Sequence, residues 1–522
     1  MRLLKSTAII GSLTLVSRLL GLVRDVLIAR FLGAGLVSDA FFTAFKLPNV
    51  FRRMFAEGAF NAAFVPLYAR RIEEEGEAAA DEFAKEAMAA LFVLVAGIVI
   101  IFELTMPWSL SIIGYGLDRA VDTETGISPY YLAVVYAQIT MPYLVFMSMT
   151  ALFSGVLNTR NHFALAAAVP IVLNLFMISA LFAAGLQEWS QKVIGYFLAA
   201  AITLSGFVQM ALVIWGCRKA GVKVGFKRPR LTPGVKRLLV LGVPGLLSAG
   251  ITQINLLVSH AIATMEKGAA SWLTYADRLY QLPLGMIGIA MGVALLPTLS
   301  RRLRAGDELG AKTSLNRAIE IAAFLTLPAA FALAVIPQFL IGGLFERGAF
   351  TSDTTEQVAL ALRMFAYGLP AFVMLKILTP AFFAREDTKT PMIYAGVSAL
   401  INVTLGVYLF FTIGFYGLAL ATTVAAWVNV ICLTWILLKE DSFSPDMRLL
   451  SRLPRIVLAS AAMAVALIAI ATPMSKYLSG NFAKDFIVLG FVCGLGFVIY
   501  AAAAALLRAF NMSDIRDALK RS

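Results

Sequence analysis

The sequence predicts an all-α polytopic membrane protein with about fourteen transmembrane helices, and composition, hydropathy and loop charge each support this class. Of the 522 residues, 60% are hydrophobic and 14% are charged, and the mean hydropathy is +0.82. Soluble globular proteins carry about 25% charged residues. This chain has too little polar surface to cover a water-exposed globule, so its hydrophobic surface is expected to face lipid.

Apolar windows of about 20 residues, long enough to cross a bilayer, follow one another along the whole chain. The second is the least regular, because charged residues interrupt it. The basic and then apolar start resembles a signal peptide, but Arg18, Arg24 and Asp25 interrupt the apolar stretch. We therefore predict a retained first helix. The windows cover 6–30, 36–69, 86–113, 129–157, 163–185, 190–216, 236–264, 271–299, 316–344, 355–383, 390–412, 416–438, 453–475 and 485–508.

The distribution of basic residues tests this count of windows. The net charge is +13, and the 44 Lys and Arg residues lie mainly in short segments between apolar windows, which is typical of cytoplasmic loops and not of a nucleic-acid-binding domain. With the N-terminus inside, about 29 basic residues fall on the cytoplasmic side, about 7 outside and about 8 within spans. Removing one helix would invert every later loop. An even number of helices with both termini cytoplasmic is therefore predicted.

A short internal repeat predicts two lobes. FKLP (45–48) is followed by FVPLYARR (64–71), and YQLP (280–283) is followed by LLPTLSRR (295–302). The parallel pieces lie six helices apart, as in transporters built from parallel repeats. The expected organisation is an N-terminal six-helix lobe (1–217), a basic cytoplasmic linker (218–237), a C-terminal six-helix lobe (238–440), and two further helices with a cytoplasmic tail (441–522).

Apart from Arg30 at the end of the first window, eight charged residues lie inside the first two windows, although a charge at mid-bilayer costs at least about 2.5–3.5 kcal/mol. On a regular helix the polar residues of the first window fall within an arc of about 120°, and its opposite face is Leu, Val and Ile. The second window has a similar charged face, although Pro48 and Gly58 make an unbroken helix doubtful there. Both faces are expected to point to protein or water. The residues of these two faces are Ser17, Arg18, Gly21, Arg24 and Asp25, and Asp39, Lys46, Arg53 and Glu57, with Arg52 beside Arg53.

The eighth window adds Asp277 and Arg278, and the tenth adds Arg363 and Lys376. Cationic residues thus come from both predicted lobes and are expected to meet between them. Interhelical ion pairs, such as Arg24 with Asp25 or Asp39, are the alternative explanation. Basic span residues outnumber acidic ones roughly two to one, so pairing alone would leave positive charge buried. An anionic ligand is the expected remaining partner, and Arg is suited to phosphate.

The other features predict little chemistry. The three cysteines and two histidines are widely separated, so neither a metal site nor a disulfide framework is expected. There is no P-loop, GxSxG or HExxH motif, so no cofactor is expected and transport would draw on an ion gradient or the membrane potential. We expect Asp387 to be a helix cap or loop charge, residues 73–82 to form a solvated loop, and His162 to be structural.

Residues 17–68, SRLLGLVRDVLIARFLGAGLVSDAFFTAFKLPNVFRRMFAEGAFNAAFVPLY, closely resemble the opening of the MurJ (MviN) family of lipid II flippases. The likeness continues through GVLNTRNHFA (155–164), SWLTYADRLYQLPLGMIGIAMGVALLPTLS (271–300) and LTPAFFAREDTKTP (378–391). It implies the fourteen-helix architecture of the MOP exporter superfamily, with two lobes around a central cavity. It also implies a groove, framed by the two extra C-terminal helices, that would suit the prenyl tail.

The resemblance implies a substrate site as well. By motif, Arg18, Arg24, Arg52 and Arg278 match the arginines expected to engage the lipid pyrophosphate. Asp25 and Asp39 match acids expected to orient those arginines; Asn49 and Glu57 are second-tier candidates, and Ser17 and Arg53 complete the set. Some family members hold a sodium ion between the seventh and eleventh spans. The seventh span here has no acidic residue, so no metal site is transferred.

The implied function is translocation of lipid II, the undecaprenyl-linked disaccharide-pentapeptide of peptidoglycan synthesis, from the cytoplasmic to the periplasmic leaflet by alternating access. The chain would then be a transporter and not an enzyme, in the bacterial inner membrane, with lipid II and membrane lipids as ligands and cell-wall synthesis proteins as partners. Two alternatives stay open: an exporter of another lipid-linked oligosaccharide, and a non-transporting membrane scaffold for cell-wall synthesis. A drug antiporter fits less well, because cationic drugs call for acidic cavities.

Overall fold

The structure, a computed structural model, describes residues 2–54, 60–117, 128–225 and 227–509. Within these ranges the regular secondary structure is helical throughout. The chain divides into two compact units, Met1–Ser271 and Trp272–Ser522. The predicted all-α membrane class is confirmed.

The first unit contains nine helices among its described residues, and they follow the first seven predicted windows. They are α1 (Arg2–Leu32), α2 (Leu36–Arg52), α3 (Phe60–Glu75), α4 (Glu77–Ile113), α5 (Pro129–Thr140), α6 (Tyr143–Thr159), α7 (Phe163–Gln187), α8 (Gln191–Lys219) and α9 (Pro233–Ala263).

The remaining helices follow in the same way, with α10 beginning just before the boundary between the units. They are α10 (Ala269–Pro283), a π-helical turn (Leu284–Gly288), α11 (Ile289–Arg304), α12 (Glu308–Val335), α13 (Pro337–Phe345), α14 (Ser352–Phe383), α15 (Lys389–Ile413), α16 (Tyr416–Lys439), α17 (Met447–Met474) and α18 (Phe482–Leu506).

Ten helical segments of the described chain are long and apolar enough to cross a membrane. They are α4, α5 with α6, α7, α8, α12, α14, α15, α16, α17 and α18. The other four predicted windows fall on α1, on α2 with α3, on α9, and on α10 with α11. The first two of these carry the eight charges, and the described part of α9 adds the shorter apolar helix Gln253–Ala263. The chain is a multi-pass membrane protein, and the count of fourteen spans stays a prediction.

Small residues let the helices of the first unit approach closely. In α8, a Cβ atom on Gly195 would lie 2.3 Å from the Tyr136 hydroxyl, and one on Gly206 would lie 2.6 Å from the Tyr143 ring. Each glycine therefore makes room for an aromatic ring from α5 or α6, as is common between membrane helices. This packing fixes the layer of α5, α6 and α8, against which α2 and α7 also pack.

The helix α9 packs on α3 and α4 and belongs to the first compact unit. The contact boundary therefore lies at Ser271, after α9 and not before it. The division into a lobe ending at residue 217 and a lobe beginning at 238 was drawn from the repeat alone, and it stays a prediction.

Both members of the predicted repeat contain an irregular helix after the Leu-Pro pair. In the first unit α2 ends at Arg52, four residues after Pro48. In the second unit Pro283 ends α10 and the π-helical turn follows directly. Proline removes a backbone donor and disfavours a regular helix. The prediction that the helix through residues 36–69 is interrupted agrees with the described residues up to 54, since α2 ends at Arg52.

Residues 73–82 do not form the predicted loop. They span the end of α3, a single bend at Gly76 with φ of 85°, and the first turn and a half of α4. Asp81 in this stretch is buried and accepts hydrogen bonds from α3 and from the turn after α6, as described below. The acidic composition alone did not distinguish a buried carboxylate from the solvated ones beside it.

Candidate functional site

Arg24 and Asp25 form the centre of a buried polar network on α1. Nε and Nη2 of Arg24 donate to Asp25 Oδ1 at 3.0 and 2.7 Å. Nη1 donates to Oδ1 of Asn174 on α7 at 2.9 Å, and Nδ2 of Asn174 donates to the Ser17 carbonyl at 2.9 Å. The side chains of Arg24 and Asp25 are 10% and 12% exposed. The guanidinium is therefore held in one orientation by a carboxylate on its own helix and by an amide from α7.

Asn174 is a functional candidate that the sequence reasoning missed. It is a single amide in an apolar run, VPIVLNLFM (169–177), and such residues in membrane helices commonly form interhelical hydrogen bonds. The isolated amide in an apolar run was visible in the sequence, but the sequence did not identify Arg24 as the partner of Asn174. Ser17, by contrast, enters the network through its backbone carbonyl, so this contact does not depend on its hydroxyl.

Arg18 lies six residues before Arg24 on α1, about 9 Å away along the helix axis. Its side chain is half-buried, and within the described part of the chain it forms no ion pair with a carboxylate. The opposite side of α1 presents Leu15, Val16 and Leu19, which are exposed. The predicted division of α1 into a charged face and an aliphatic face therefore agrees with the burial pattern.

The end of α2 presents Arg52 beside an amide. Arg52 Nε donates to Asn49 Oδ1 at 3.3 Å, and Asn49 Nδ2 donates to the Phe45 carbonyl at 3.0 Å. Arg52 is half-buried and Arg53 is exposed. Asn49 therefore holds the Arg52 side chain along the helix, which makes it a positioning residue. Glu57 lies outside the described residues.

Asp39 is fully buried near the start of α2, and its partners are at the start of α10. Its carboxylate accepts hydrogen bonds from the backbone N–H of Gly268 at 2.7 Å and of Ser271 at 2.8 Å, and from the Ser271 hydroxyl at 2.6 Å. A carboxylate is favoured at a helix N-terminus, where backbone N–H groups have no partner within the helix. Asp39 thus fastens the turn that leads into α10, and these contacts give no support to the prediction that it orients an arginine.

In the second unit, Asp277 and Arg278 are both half-buried on α10. The Asp277 carboxylate accepts a hydrogen bond from the Gln281 amide one turn later. Tyr280, two residues after Arg278, packs on Phe365 and Phe372 of α14 with ring centroids at 4.8 and 5.4 Å. The aromatic contacts fix the rotation of α10 on which Arg278 sits. That Arg278 meets the arginines of the first unit stays a prediction.

Two other basic residues predicted in the tenth window lie on α14. Arg363 Nε donates to the Ala334 carbonyl at the end of α12, at 3.2 Å. The Lys376 side chain passes beside Gly288, where an added Cβ would lie 3.2 Å from its Cγ. Both residues therefore have structural contacts within the second unit, at the end of α12 and at the end of the π-helical turn.

A second buried network of the first unit joins α3, α4 and the turn after α6. Asp81 accepts hydrogen bonds from the Tyr68 hydroxyl at 3.0 Å, from Arg160 Nη2 at 2.6 Å and from the Lys223 backbone N–H at 3.0 Å. Glu86 accepts from the Thr232 hydroxyl at 2.8 Å. The segment 223–232, predicted as a linker between lobes, is therefore fastened to the acidic start of α4.

Asp387 behaves as predicted. Its carboxylate accepts hydrogen bonds from the backbone N–H groups of Thr390 and Lys389 at 2.9 and 3.0 Å, at the start of α15. The hydrogen bonds from Thr390 and then from Lys389 lower the pKa of this carboxyl below its usual 3.8. It is a loop charge that caps a helix. In the described residues no group of three or more His, Cys, Asp or Glu is arranged to hold a metal ion.

Comparison with known proteins gives the family. The family described as "Lipid II flippase MurJ" matches residues 28–489. The "Probable lipid II flippase MurJ" of Rhizobium meliloti (strain 1021) is 44% identical over 527 residues, which cover 100% of this chain and 97% of the relative.

Solved structures show the same fold. "Lipid II flippase MurJ, inward closed conformation" is 25% identical with a TM-score of 0.77, over 95% of this chain and 98% of that one. An inward-facing multidrug resistance MATE family transporter of the MOP superfamily is 15% identical with a TM-score of 0.69, over 83% of this chain and 98% of that one. The MATE likeness shows the fold alone. The match across nearly the whole length to both the family and its solved member places this chain in the lipid II flippase MurJ family, whose members are transporters and not enzymes.

Proposed function

We propose that this chain translocates lipid II across the bacterial inner membrane, from the cytoplasmic to the periplasmic leaflet, with both termini in the cytoplasm. The orientation rests on the excess of Lys and Arg in alternate loops. The observation that carries the substrate is the charged face of α1, where Arg24 is held rigidly by Asp25 and Asn174 and half-buried Arg18 lies on the same helix.

A guanidinium that is already oriented loses little freedom when it binds an anion. Arg presents a planar set of N–H donors that matches two phosphate oxygens at once. We assign Arg18, Arg24, Arg52 and Arg278 to direct contact with the pyrophosphate. Arg24 shares its charge with Asp25, so the pair contributes less net charge than an isolated Arg. Asn49 and Asp25 position Arg52 and Arg24, and Arg53, Ser17 and Glu57 are second-tier residues of the site.

The physical problem that such a site solves is dehydration of the headgroup. The polyprenyl tail is soluble in lipid, whereas a pyrophosphate that enters hydrocarbon loses its water and pays a large cost unless other donors replace it. Arginine donors lining a cavity between two lobes would replace that water. Rocking of the lobes around the site would then expose the headgroup on the other side. No covalent step is involved.

The role of Asp39 in this proposal is mechanical. Its carboxylate joins the start of α2 to the turn before α10 and to the first residues of α10. The end of α2 carries Asn49 and Arg52, and α10 carries Arg278. Movement of α10 would therefore be transmitted to α2 through three hydrogen bonds. This assigns Asp39 to the coupling of substrate helices and not to contact with the lipid.

The test is translocation of lipid II by purified protein in proteoliposomes, comparing Arg18→Ala and Arg52→Ala with wild type. We expect each variant to lose at least tenfold in rate, because each removes a charged hydrogen-bond donor worth about 1.5–3 kcal/mol. Arg52→Lys should retain part of the rate, since Lys keeps the charge but not the two-point geometry.

The control is Arg30→Ala. Arg30 is exposed on α1, where its guanidinium lies over the Phe31 ring at 5.6 Å. The Arg30→Ala protein should therefore translocate lipid II at the wild-type rate. Wild-type rates for both Arg18→Ala and Arg52→Ala would refute the assigned site. Transport of a different lipid-linked oligosaccharide in place of lipid II would favour the related exporter, and no transport of either lipid by the wild-type chain would favour the scaffold.

A further inference from the structure

A cavity of about 560 Å³ lies in the second unit, where α12 and α17 end and α14 and α18 begin. Its size falls in the range of pockets that bind small molecules. Its lining residues lie between Val335 and Asp485 and do not include those assigned to the transport site. In the proposed orientation this end of the helices faces the periplasm, so we call the space the outer cavity.

Arg363 is the cation in the wall of the outer cavity. It is half-buried on α14, 11 residues after Ser352, or about 16 Å along the helix axis. Helical side chains tilt towards the N-terminus of their helix, so this guanidinium points back towards the cavity end of α14. Its Nε donates to the Ala334 carbonyl at 3.2 Å, close to the end of α12. This bond holds the guanidinium, and its Nη groups form no hydrogen bond or ion pair with the residues that the structure describes.

Two carboxylates in the same wall also have no cationic partner within the described chain. Glu346, half-buried after α13, accepts a hydrogen bond from the Thr355 hydroxyl at 2.7 Å, and Glu356 is exposed on α14. Neither forms an ion pair with a described Lys or Arg. The third carboxylate of the wall, Asp485, differs because it pairs with Arg347 at 3.2 Å. The outer cavity therefore presents a guanidinium and two carboxylates that do not neutralise one another.

The order of these charges along α14 selects the kind of ligand. Ser352, Glu356 and Arg363 fall within an arc of about 40°, and Arg363 lies about 10 Å deeper than Glu356. A simple anion would meet the two carboxylates, and a simple cation would meet the guanidinium. A group with both an ammonium and a phosphate satisfies both charges, because an ammonium offers three N–H donors to carboxylates and Arg binds phosphate oxygens in pairs.

An exposed apolar stripe on α17 leads from the outer cavity towards the middle of the membrane. Ile468 lines the cavity and is 48% exposed. Val465 and Leu458, which precede it on α17, are 69% and 58% exposed, and the three residues fall within an arc of about 80°. Exposed apolar side chains of a membrane helix face lipid. A ligand with acyl chains could thus place its headgroup in the cavity and its chains along α17.

We propose that the outer cavity binds the phosphoethanolamine headgroup of a membrane phospholipid. Its phosphate contacts Arg363, and its ammonium contacts Glu346 and Glu356. In such a lipid the phosphate lies deeper in the membrane than the ammonium, which is the order in which Arg363 and Glu356 lie along α14. The site takes no part in moving lipid II, although its assignment to the periplasmic leaflet follows from the proposed orientation.

The test measures the dissociation constant of the first bound phospholipid by native mass spectrometry of the purified chain. Phosphatidylethanolamine is compared with phosphatidylglycerol, which lacks the ammonium, and with phosphatidylcholine, whose ammonium cannot donate a hydrogen bond. We expect the wild-type chain to bind phosphatidylethanolamine about tenfold more tightly than either of the others, because only this lipid makes charged hydrogen bonds at both ends of the cavity.

Two variants change the two ends separately. Arg363→Gln should weaken binding of phosphatidylethanolamine by about tenfold. Glu346→Gln should also weaken it, yet should strengthen binding of phosphatidylglycerol by about threefold, because a negative charge near the phosphate is removed. A loss of structure would weaken both lipids, so these opposite changes report on the site itself.

The matched controls are Lys476→Gln and Asp353→Asn. Both residues carry exposed charges at the same end of the second unit, but neither lines the outer cavity. Each control should bind all three phospholipids as the wild type does. Equal loss of phosphatidylethanolamine in Lys476→Gln and Arg363→Gln would show a general effect of surface charge and would overturn the site.

Other outcomes are equally decisive. Equal wild-type affinities for the three lipids, tighter binding of phosphatidylglycerol, or an unchanged affinity in both Arg363→Gln and Glu346→Gln would each overturn the proposal. Displacement of the lipid by an equal concentration of soluble phosphoethanolamine would show that the stripe on α17 contributes nothing, which rules out a lipid as the intended ligand. If Arg363→Gln does not fold, the opposite changes in Glu346→Gln decide the question. The assay contains no lipid II, so its failure and the failure of translocation are distinguishable.

Discussion

Replacing Asn174 with Ala should destabilise the first unit and reduce transport together, although the residue contacts no substrate. The change removes the acceptor of Arg24 Nη1 and the donor to the Ser17 carbonyl. A hydrogen bond to a charged group contributes about 1.5–3 kcal/mol in water-soluble proteins, and interhelical bonds in membranes average about 0.6 kcal/mol with a maximum near 1.7. We therefore expect a loss of about 1–3 kcal/mol for the two bonds.

The informative assay is a double-mutant cycle with Arg24→Ala, measured by denaturant unfolding in mixed micelles. In the Arg24→Ala background, Asn174 has lost its charged partner, so Asn174→Ala should cost less than half of what it costs in the wild type. Leu175→Ala is the matched control, because Leu175 is the next residue on α7 and is 48% exposed. Its cost should be the same in both backgrounds.

Additive costs for Arg24→Ala and Asn174→Ala would refute the reasoning, since additivity means that the two side chains do not act on each other. The transport readout provides a second check. Lipid II translocation should fall in Asn174→Ala by a factor that Leu175→Ala does not show, because only the former releases the guanidinium from its fixed orientation.

Three further predictions follow from buried charges. Asp39→Asn should speed amide hydrogen exchange at the two backbone N–H groups before and within α10 by about 10–100-fold, corresponding to about 1.5–3 kcal/mol for a charged hydrogen bond; unchanged exchange would contradict the assigned contacts. Asp485→Asn should lower the free energy of unfolding by about 3–5 kcal/mol, because Arg347 and Asp485 form a 3.2 Å ion pair with side chains only 6% and 1% exposed. Asp441→Asn should change it little, because the Asp441 side chain, paired with Lys312, is 85% exposed; equal effects would refute the burial argument. Arg160→Ala should make the segment 223–232 sensitive to limited proteolysis, because it releases the carboxylate that holds this segment to α4; resistance equal to wild type would show that the other contacts suffice.

The sequence predicted the features that depend on one helix at a time. Apolar windows located the helices, and the 100° advance per residue placed Arg18 and Arg24 on a face opposite exposed Leu15 and Leu19. These predictions succeeded because lipid imposes a simple rule: apolar faces point outward, and charged faces point to protein or water.

The features that need two helices could not be predicted in the same way. The contact of Arg24 with Asn174 depends on which side of α7 packs on α1, and the contact of His260 with Lys46 depends on the register of α9 against α2. Neither register is encoded in the spacing of charges along one helix. Asp39 shows the same limit: its position in a charged face was visible, but its capping of α10 required the fold.

Acidic runs were a further source of error. Residues 73–82 have the composition of a solvated loop, yet Asp81 is buried while Glu77, in the same run, is 71% exposed as a side chain. The difference arises from the partners that the fold brings to Asp81, a tyrosine of α3 and an arginine from the turn after α6. Composition counts charges but does not show which one has partners.

The π-helical turn Leu284–Gly288 determines which side chains of α11 face the protein interior. A π-helical turn accommodates one residue more than a regular α-helical turn, and each residue rotates the helix by about 100°. Without that extra residue, α11 would be rotated by about 100° about its axis. The buried Leu295 and Leu299 would then no longer face the protein interior, and other side chains of α11 would face it. Deleting one residue from this turn would therefore change which residues of α11 are buried, although the sequence of α11 itself would be unchanged.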